Sequence, residues 1–312
     1  MMNKEKSFVS SVIYVHNAEN RIEEFLSAII EVMEENFEHS EIICVNDASD
    51  DNSLSLIKNV SSAAKNTCIT VVNMSYFHGL ELAMNAGVDM AIGDYIFEFD
   101  NAYLDFESDL IMQVYNHLLE GYDLVSASPD RRENLSSLLF YKVFGHFAHT
   151  NYQMTTESFR VLSRRIVNRI SSMNNSVIYR KAIYATCGLK TDNMKYQVKG
   201  KRLSIADRKE KEYRSGLAVD SLIVFTELGY RFSVSMTIVM MFISLLVGAY
   251  TVITYFALNP IEGWTTTILF LSISFFGLFG ILTIIIKYLQ LTIDMVIKRK
   301  HYSFESVEKL TK

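Results

Sequence analysis

From Phe8 to about Val125 the chain alternates short apolar runs with stretches of helical periodicity. The run FVSSVIYV is followed by Ile22, Phe25, Leu26, Ile29, Ile30 and Met33, a three- and four-residue spacing that predicts one buried helix face. Then come the strand EIICV, a polar turn, the helix SLSLIKNVSSAAK, the strand CITVVN and the helix GLELAMNAGVDMAIG. The strand YIFEFD, the helix ESDLIMQVYNHLLEG and the strand DLVSAS complete the series. This repeated alternation predicts a largely parallel sheet with helices on both faces. In such sheets ligands bind beyond the carboxyl ends of the strands. Two polar segments fall at those ends, NDASDDNS after EIICV and DNAYLD after YIFEF. Residues 125–205 are less regular, with a helix expected over NLSSLLFYKVFGHFAH, then TESFRVLSRRIVNRI and the apolar stretch SVIYRKAIYATCGL.

The pattern changes near the C-terminus. Residues 234–258 and 264–286 contain no charged side chain, and each run exceeds the ~20 residues that cross a bilayer as a helix. They predict a two-helix transmembrane hairpin, preceded at 203–232 by amphipathic helices with an apolar side of Leu217, Val219, Leu222, Ile223, Phe225 and Leu228. The link NPIEG carries one acid, whereas both outer flanks are basic, so both flanks are expected on the cytoplasmic side. The expected organisation is a cytoplasmic domain at 1–202, juxtamembrane helices at 203–232, membrane helices within 233–290 and a basic cytoplasmic tail at 291–312. The N-terminus leads into the first strand without a cleavable signal pattern. Gly248, Gly277 and Gly280 permit close helix contacts and so a homo-oligomer.

Charge and cysteines refine this picture. The net charge is −5, yet Lys195 to Arg214 holds eight basic residues against three acids. Ahead of a membrane span, such a stretch points to anionic lipid head groups rather than nucleic acid, or else to a solvated helix face balanced by its own acids. Cys44, Cys68 and Cys187 lack CxxC spacing and suit a reducing compartment. His146 and His149, three apart without a third ligand nearby, read as surface or interface residues rather than a metal site. Neither a P-loop nor a GxGxxG is present.

The segment VNDASDDNS resembles the VDDGSTDGS turn of inverting family 2 glycosyltransferases with the GT-A fold. Other segments follow in the same order: SSVIYVHNAE resembles SVVIPVYNEE, FHGLELAMNAGV resembles NFGKEAALLAGL, and GDYIFEFDNAYLDFESDLI resembles GDAVIVMDADLQDPPELI. TESFRVLSRRIVNRI resembles GDFRLLDRRVVDAL, and the stretch before the apolar runs resembles the segment leading into paired membrane helices. The nearest branch is the polyisoprenyl-phosphate glycosyltransferases, which include bactoprenol glucosyltransferases and dolichol-phosphate mannose synthases.

The resemblance implies an α/β GT-A domain (Rossmann-like, mostly parallel sheet) with interfacial helices and a transmembrane hairpin. It implies transfer of one sugar from a nucleotide-sugar, with a family bias to UDP, to polyprenyl phosphate at a bacterial plasma membrane. The donor would be held by Val15, Asn17, Glu19, Asp47, Gly79, Asp100 and Asn101, with Asp47 taking hydrogen bonds from a pyrimidine or ribose. Asp51, by contrast, reads as a cap for the following helix. Asp100, Asp105 and Arg160 would carry the chemistry, and Asp100 with Asp105 would hold Mg²⁺ or Mn²⁺ against the departing diphosphate. Arg131, Arg132, Arg160 and Ser137 would bind the acceptor phosphate, although Arg131 and Arg132 also fit an exposed loop pair. That phosphate is largely ionised at neutral pH, its second pKa lying near ~6, so a general base is not required.

The chain departs from the pattern at several positions. The second acid of Asp-x-Asp is Ala102, the Pro, Tyr and first Glu of PVYNE are Tyr14, His16 and Ala18, and the acid of GDFR is Ser158 beside Glu157. Glu98, two residues before Asp100, either supports a cation or lines a polar layer of the sheet. Two other functions therefore stand beside the first: the same fold acting on another lipid acceptor, and a catalytically impaired, membrane-anchored binding partner.

Overall fold

The computed structural model describes residues 4–130, 141, 156–172, 179–199 and 303–311, with isolated helical positions between 235 and 292. The chain divides into two compact units, one of residues 1–218 with 299–312 and one of residues 219–298. The first is built on an eight-stranded sheet. Its strands are β1 (Glu5–Val15), β2 (Phe37–Asn46), β3 (Cys68–Met74), β4 (Tyr95–Phe99), β5 (Leu124–Pro129), β6 (Phe159–Ser163), β7 (Thr191–Tyr196) and β8 (Phe304–Lys309). Among the described residues the helices are α1 (Ile22–Asn36), α2 (Ser53–Ser61), α3 (Leu80–Met90), α4 (Asp109–Leu119), α5 (Arg164–Ser172) and α6 (Arg180–Thr186).

The strand order is β7-β5-β6-β4-β1-β2-β3-β8. Strands β4, β1, β2 and β3 run parallel, as the βαβ pattern requires. Strand β6 runs antiparallel between β4 and β5, and β8 runs antiparallel along β3. The sheet is therefore mixed around a parallel heart.

Alternation along the strands divides the core in two. Ile13, Phe97 and Phe99 pack with the apolar faces of α1 and α4. Val12, Tyr14 and Ile96 pack on the other face with Ala83, Met84, Ile166 and Tyr184 from α3, α5 and α6. In α1 the expected stripe of Ile22, Phe25, Leu26, Ile29, Ile30 and Met33 is buried, each side chain contributing about 1.5–3 kcal/mol. Helix α3 lies so close to the sheet that a Cβ on Gly87 would stand 2.4 Å from Val12 Cγ1 and 2.7 Å from Val45 Cγ2.

The C-terminal segment departs from expectation. Instead of a free basic tail, residues 304–309 form β8, paired with β3 from Thr70↔Lys309 to Met74↔Phe304. The strand is charged and half-exposed, as suits a sheet edge, so apolar patterning gave no sign of it. Among the described residues no helix is long and apolar enough to cross a membrane. The apolar runs at 234–258 and 264–286 fall mostly outside the described residues, as do the expected juxtamembrane helices and the helix over NLSSLLFYKVFGHFAH apart from Tyr141.

Candidate functional site

At the carboxyl ends of β1 and β2 the two following loops are tied together. The Asp47 N–H donates to Val15 O at 2.8 Å, continuing the ladder beyond β2. Asn17 accepts from the Asp50 N–H at 2.9 Å, and its own N–H donates to Ser49 Oγ at 3.1 Å. Asn17 and Ala48 take positive φ, 46° and 49°, where the chain reverses against the neighbouring loop. Glu19 accepts from the Asn52 N–H at 3.2 Å. Asp51 accepts from the N–H groups of Glu19 at 2.9 Å and Ser53 at 3.0 Å; it takes one N–H of the first turn of α2 from the position before the N-cap, which is Asn52 rather than Asp51. Burial pushes the Asp51 carboxyl up, but the Ser53 hydroxyl and these N–H groups outweigh it and hold the pKa low.

Asp47 is fully buried. Its carboxylate accepts from the N–H groups of His78 and Gly79, both at 2.8 Å, and from Tyr14 Oη at 3.1 Å. Burial raises its pKa, and the His78 N–H, the Tyr14 hydroxyl and the Gly79 N–H offset part of that. Gly79 precedes α3 with φ 82°, a backbone conformation that favours glycine. In this conformation Asp47 pins the start of α3 and presents no free oxygen to a nucleotide. The residue at the Tyr position of the family pattern, His16, donates from Nδ1 to the Asp47 main-chain carbonyl at 2.7 Å and lies 4.8 Å from the Phe77 ring.

Beyond β4 lies a buried charge cluster. Glu98 on β4 and Arg160 on β6 are register partners, so their side chains share a face. Arg160 is fully buried and reaches three acids: Nε to Glu157 at 2.9 Å, Nη1 to Glu98 at 2.7 Å, and Nη2 to Asp100. Arg180, from α6, contacts Glu81 at 3.0 Å, Glu98 at 2.8 Å and Asp100 at 2.6 Å. Tyr184 donates to Glu98 at 2.7 Å. The two guanidiniums, with help from Lys181, overcome the burial that disfavours an ionised Asp100 and hold its pKa far below the ordinary value. Such a cluster persists only because each charge meets opposite charge and hydrogen bonds.

This geometry changes the roles expected from the sequence. Asp100 and Arg160 do come together, but Asp100 has each oxygen on a guanidinium rather than free for a cation. Arg160 has its nitrogens on carboxylates rather than open to an acceptor phosphate. Glu98 occupies the polar layer of the sheet. Asp105 lies in a different network, accepting at Oδ1 from Tyr196 at 2.8 Å, while Tyr196 and Ser158 share a hydrogen bond of 2.6 Å. Its Oδ2 is buried without a partner among the described residues. Asn101 accepts from the Tyr103 N–H at 3.1 Å, a local turn contact. Arg131, Arg132 and Ser137 lie outside the described residues.

Among the described residues the donor set falls short of a divalent-cation site. Ala102 is apolar and buried, Asp100 is taken up by arginines, and Asp105 leaves one oxygen. Among the described residues no group of three His, Cys, Asp or Glu is placed to hold a metal ion, whereas such cations need several oxygen ligands. Arg180, Tyr184 and Glu81 were not singled out from the sequence. Arg180 sits beside Lys181 in an otherwise apolar stretch, where spacing does not tell an inward-facing cation from an exposed one.

A parallel-centred sheet with hydrogen-bonded loops and acids beyond the carboxyl ends of its strands is an α/β arrangement of the GT-A type. The chain belongs to glycosyl transferase family 2, whose sequence model matches residues 10–181, and it is a glycosyltransferase. It is 31% identical over 186 residues to an uncharacterized glycosyltransferase of Synechocystis, covering 58% of either chain, so it spans little more than half the length of that relative. It is 27% identical over 316 residues to a prophage bactoprenol glucosyl transferase homolog of Escherichia coli, covering 96% of this chain and 99% of that one. Among solved structures, glucosyl-3-phosphoglycerate synthase from Mycobacterium tuberculosis, in complex with Mn²⁺, uridine diphosphate and phosphoglyceric acid, superposes with a TM-score of 0.52. It is 14% identical and the match covers 70% of this chain and 78% of that one, a likeness of fold.

Proposed function

We propose that the protein is a membrane-bound inverting glycosyltransferase that moves a sugar from a nucleotide-sugar, of the UDP class, to polyprenyl phosphate for surface glycan synthesis or modification. The observation that carries this reading is the match to the bactoprenol glucosyl transferase homolog over 96% of the chain, which includes both apolar runs. Exposed apolar side chains support the membrane part. Val239, Phe242 and Leu246 in the first run are 49–62% exposed, and Leu271, Leu278, Leu282, Ile285 and Leu289 in and just past the second are 42–56% exposed. Their three-, four- and seven-residue spacings mark helix faces suited to hydrocarbon. The catalytic domain and both termini then lie on the cytoplasmic side, where the basic flanks meet anionic lipid.

In the reaction an acceptor phosphate oxygen bonds to C1 of the sugar from the face opposite the nucleotide, and the bond from C1 to the diphosphate oxygen breaks. Its electron pair leaves with the diphosphate. The acceptor is already anionic, so no proton has to be removed. The chain's contribution is positioning and charge. The tied loops at Asn17, Glu19 and Asp50 present the donor edge, Arg131, Arg132 and Ser137 are the proposed acceptor-phosphate ligands, and the Arg160–Arg180 pair fixes the carboxylates around them.

The test uses purified full-length protein in detergent with polyprenyl phosphate and a panel of UDP- and GDP-sugars, with and without Mg²⁺ or Mn²⁺. One donor is consumed and a lipid-linked sugar forms. Consumption only with another acceptor lipid overturns the acceptor assignment. A second reading, a membrane-anchored binding partner without turnover, draws on Ala102 and on the engagement of Asp100 by two arginines. It predicts no turnover with any donor.

A further inference from the structure

We propose that the C-terminal strand β8 is a working part of the donor site, because it sets the loop between β3 and α3. Residues 303–311 lie outside the part of the chain matched by the family model, and the inference rests on the reading that a nucleotide-sugar binds at the carboxyl edge of the sheet.

The contact is made just ahead of the strand. The Ser303 N–H donates to His78 Nε2 at 3.2 Å, the Ser75 N–H donates to Ser303 O at 3.0 Å, and the two serine hydroxyls lie 3.1 Å apart. The buried His78 ring meets Tyr76 O through Nδ1 at 2.5 Å and stacks on the Tyr76 ring at 4.0 Å. One neutral tautomer, with its hydrogen on Nδ1, satisfies both ring contacts at once. The His78 main chain is the donor to Asp47 Oδ1, and Gly79 is the donor to Oδ2. Residues 75–79 are thus held between Asp47 at the end of β2 and Ser303 at the start of β8.

The same strand reaches the β2 turn by a second route. Asn46 donates to Asn73 Oδ1 at 2.9 Å, Asn73 donates to Ser306 Oγ at 3.0 Å and to Glu308 at 3.3 Å, and Lys58 on α2 pairs with Glu308 at 2.6 Å. A polar cavity of about 390 Å³ opens here, with Asn46, Ser49 and Asp50 on one side and Glu305 and Ser306 on the other. Ser303 and His78 are therefore positioning residues: they act on the donor through Asp47, Gly79 and the turn rather than by touching it.

The test compares Ser303→Pro, which deletes the N–H that His78 accepts, with Ser303→Ala, which keeps it, in full-length protein in detergent. Two quantities are read: hydrogen–deuterium exchange at His78 and Gly79, and affinity for UDP and GDP with the split of KM and kcat for the consumed donor. Ser303→Pro exchanges faster at both amides and binds nucleotide about three- to tenfold more weakly, the worth of one net hydrogen bond. Its kcat stays within about twofold, and Ser303→Ala, which keeps the N–H and loses only the hydroxyl contact with Ser75, falls between Ser303→Pro and the wild type in both exchange and affinity. His78→Gln, which offers an oxygen acceptor, recovers part of the affinity lost in His78→Ala. Unchanged exchange in Ser303→Pro overturns the proposal, and so does faster exchange with unchanged affinity. Wild-type protein that binds neither nucleotide sinks the donor reading and the positioning role with it, and that failure shows before any substitution is made.

Discussion

Replacing Arg160 with Met tests the central cluster. Met keeps much of the length and apolar stem but removes a charge that Glu98, Asp100 and Glu157 share. Arg180 still reaches Glu98 and Asp100, and Lys181 still stands 3.8 Å from Glu157. Removing one partner from a buried ion pair costs about 3–5 kcal/mol, because the other charge is left uncompensated. At roughly 2–4 °C per kcal/mol for a domain of this size, the melting temperature falls by roughly 6–20 °C. A thiol-reactive fluorogenic dye reads the transition, since Cys44 and Cys187 are buried until the domain opens. The pH dependence provides an internal check. The folded pKa of Asp100 is depressed by its two arginines, so its contribution is present above the unfolded value of ~3.9 and is lost as pH falls through the folded one. In Arg160→Met that depression shrinks, so the gap between variant and wild type narrows as the medium is acidified. A variant within about 1 kcal/mol of wild type at neutral pH, with a parallel pH profile, refutes the reasoning.

Two further outcomes follow from groups outside the cluster. The Asp192 carboxylate, 2.8 Å from His117 Nε2, raises the His117 pKa against a smaller opposing effect of burial, and Glu120 adds to the rise. This stabilisation is complete below the ordinary histidine value of ~6.5 and is lost as pH climbs through the raised one. His117→Gln therefore narrows its deficit between pH 6 and 8 by up to about 1 kcal/mol, the scale of a partly exposed pair, and identical pH profiles for the two proteins would falsify this. Burial pushes the Cys44 thiol up to about 12, so brief alkylation of native protein at pH 8 followed by peptide mapping labels the half-buried Cys68 and spares Cys44 and Cys187. Labelling of Cys44 at the rate of Cys68 would show that β2 is less enclosed than the packing indicates.

The elements of residues 8–125 were legible because each has one consistent period: the stripe of α1, the short β-branched runs of β2 and β3, and the turns between them. The strand-end position of NDASDDNS and DNAYLD was legible for the same reason, since a parallel sheet brings those ends to one edge. Pattern did not reveal β8, whose charged Glu305, Glu308 and Lys309 resemble a solvated tail until β3 offers it an unpaired edge. The roles of the charged residues were also beyond it. Asp100 reads as a free acid in sequence, and it becomes the shared partner of two arginines only because β6 pairs against β4 in one register and α6 carries Arg180 onto the same face. By itself the sequence determined the alternating α/β architecture, the family and the two apolar runs, since those depend on local period and composition. Tertiary structure alone decided which acids are free, which are bound, and that the last strand pairs beside the loop between β3 and α3, because each of these depends on contacts between residues tens to hundreds of positions apart.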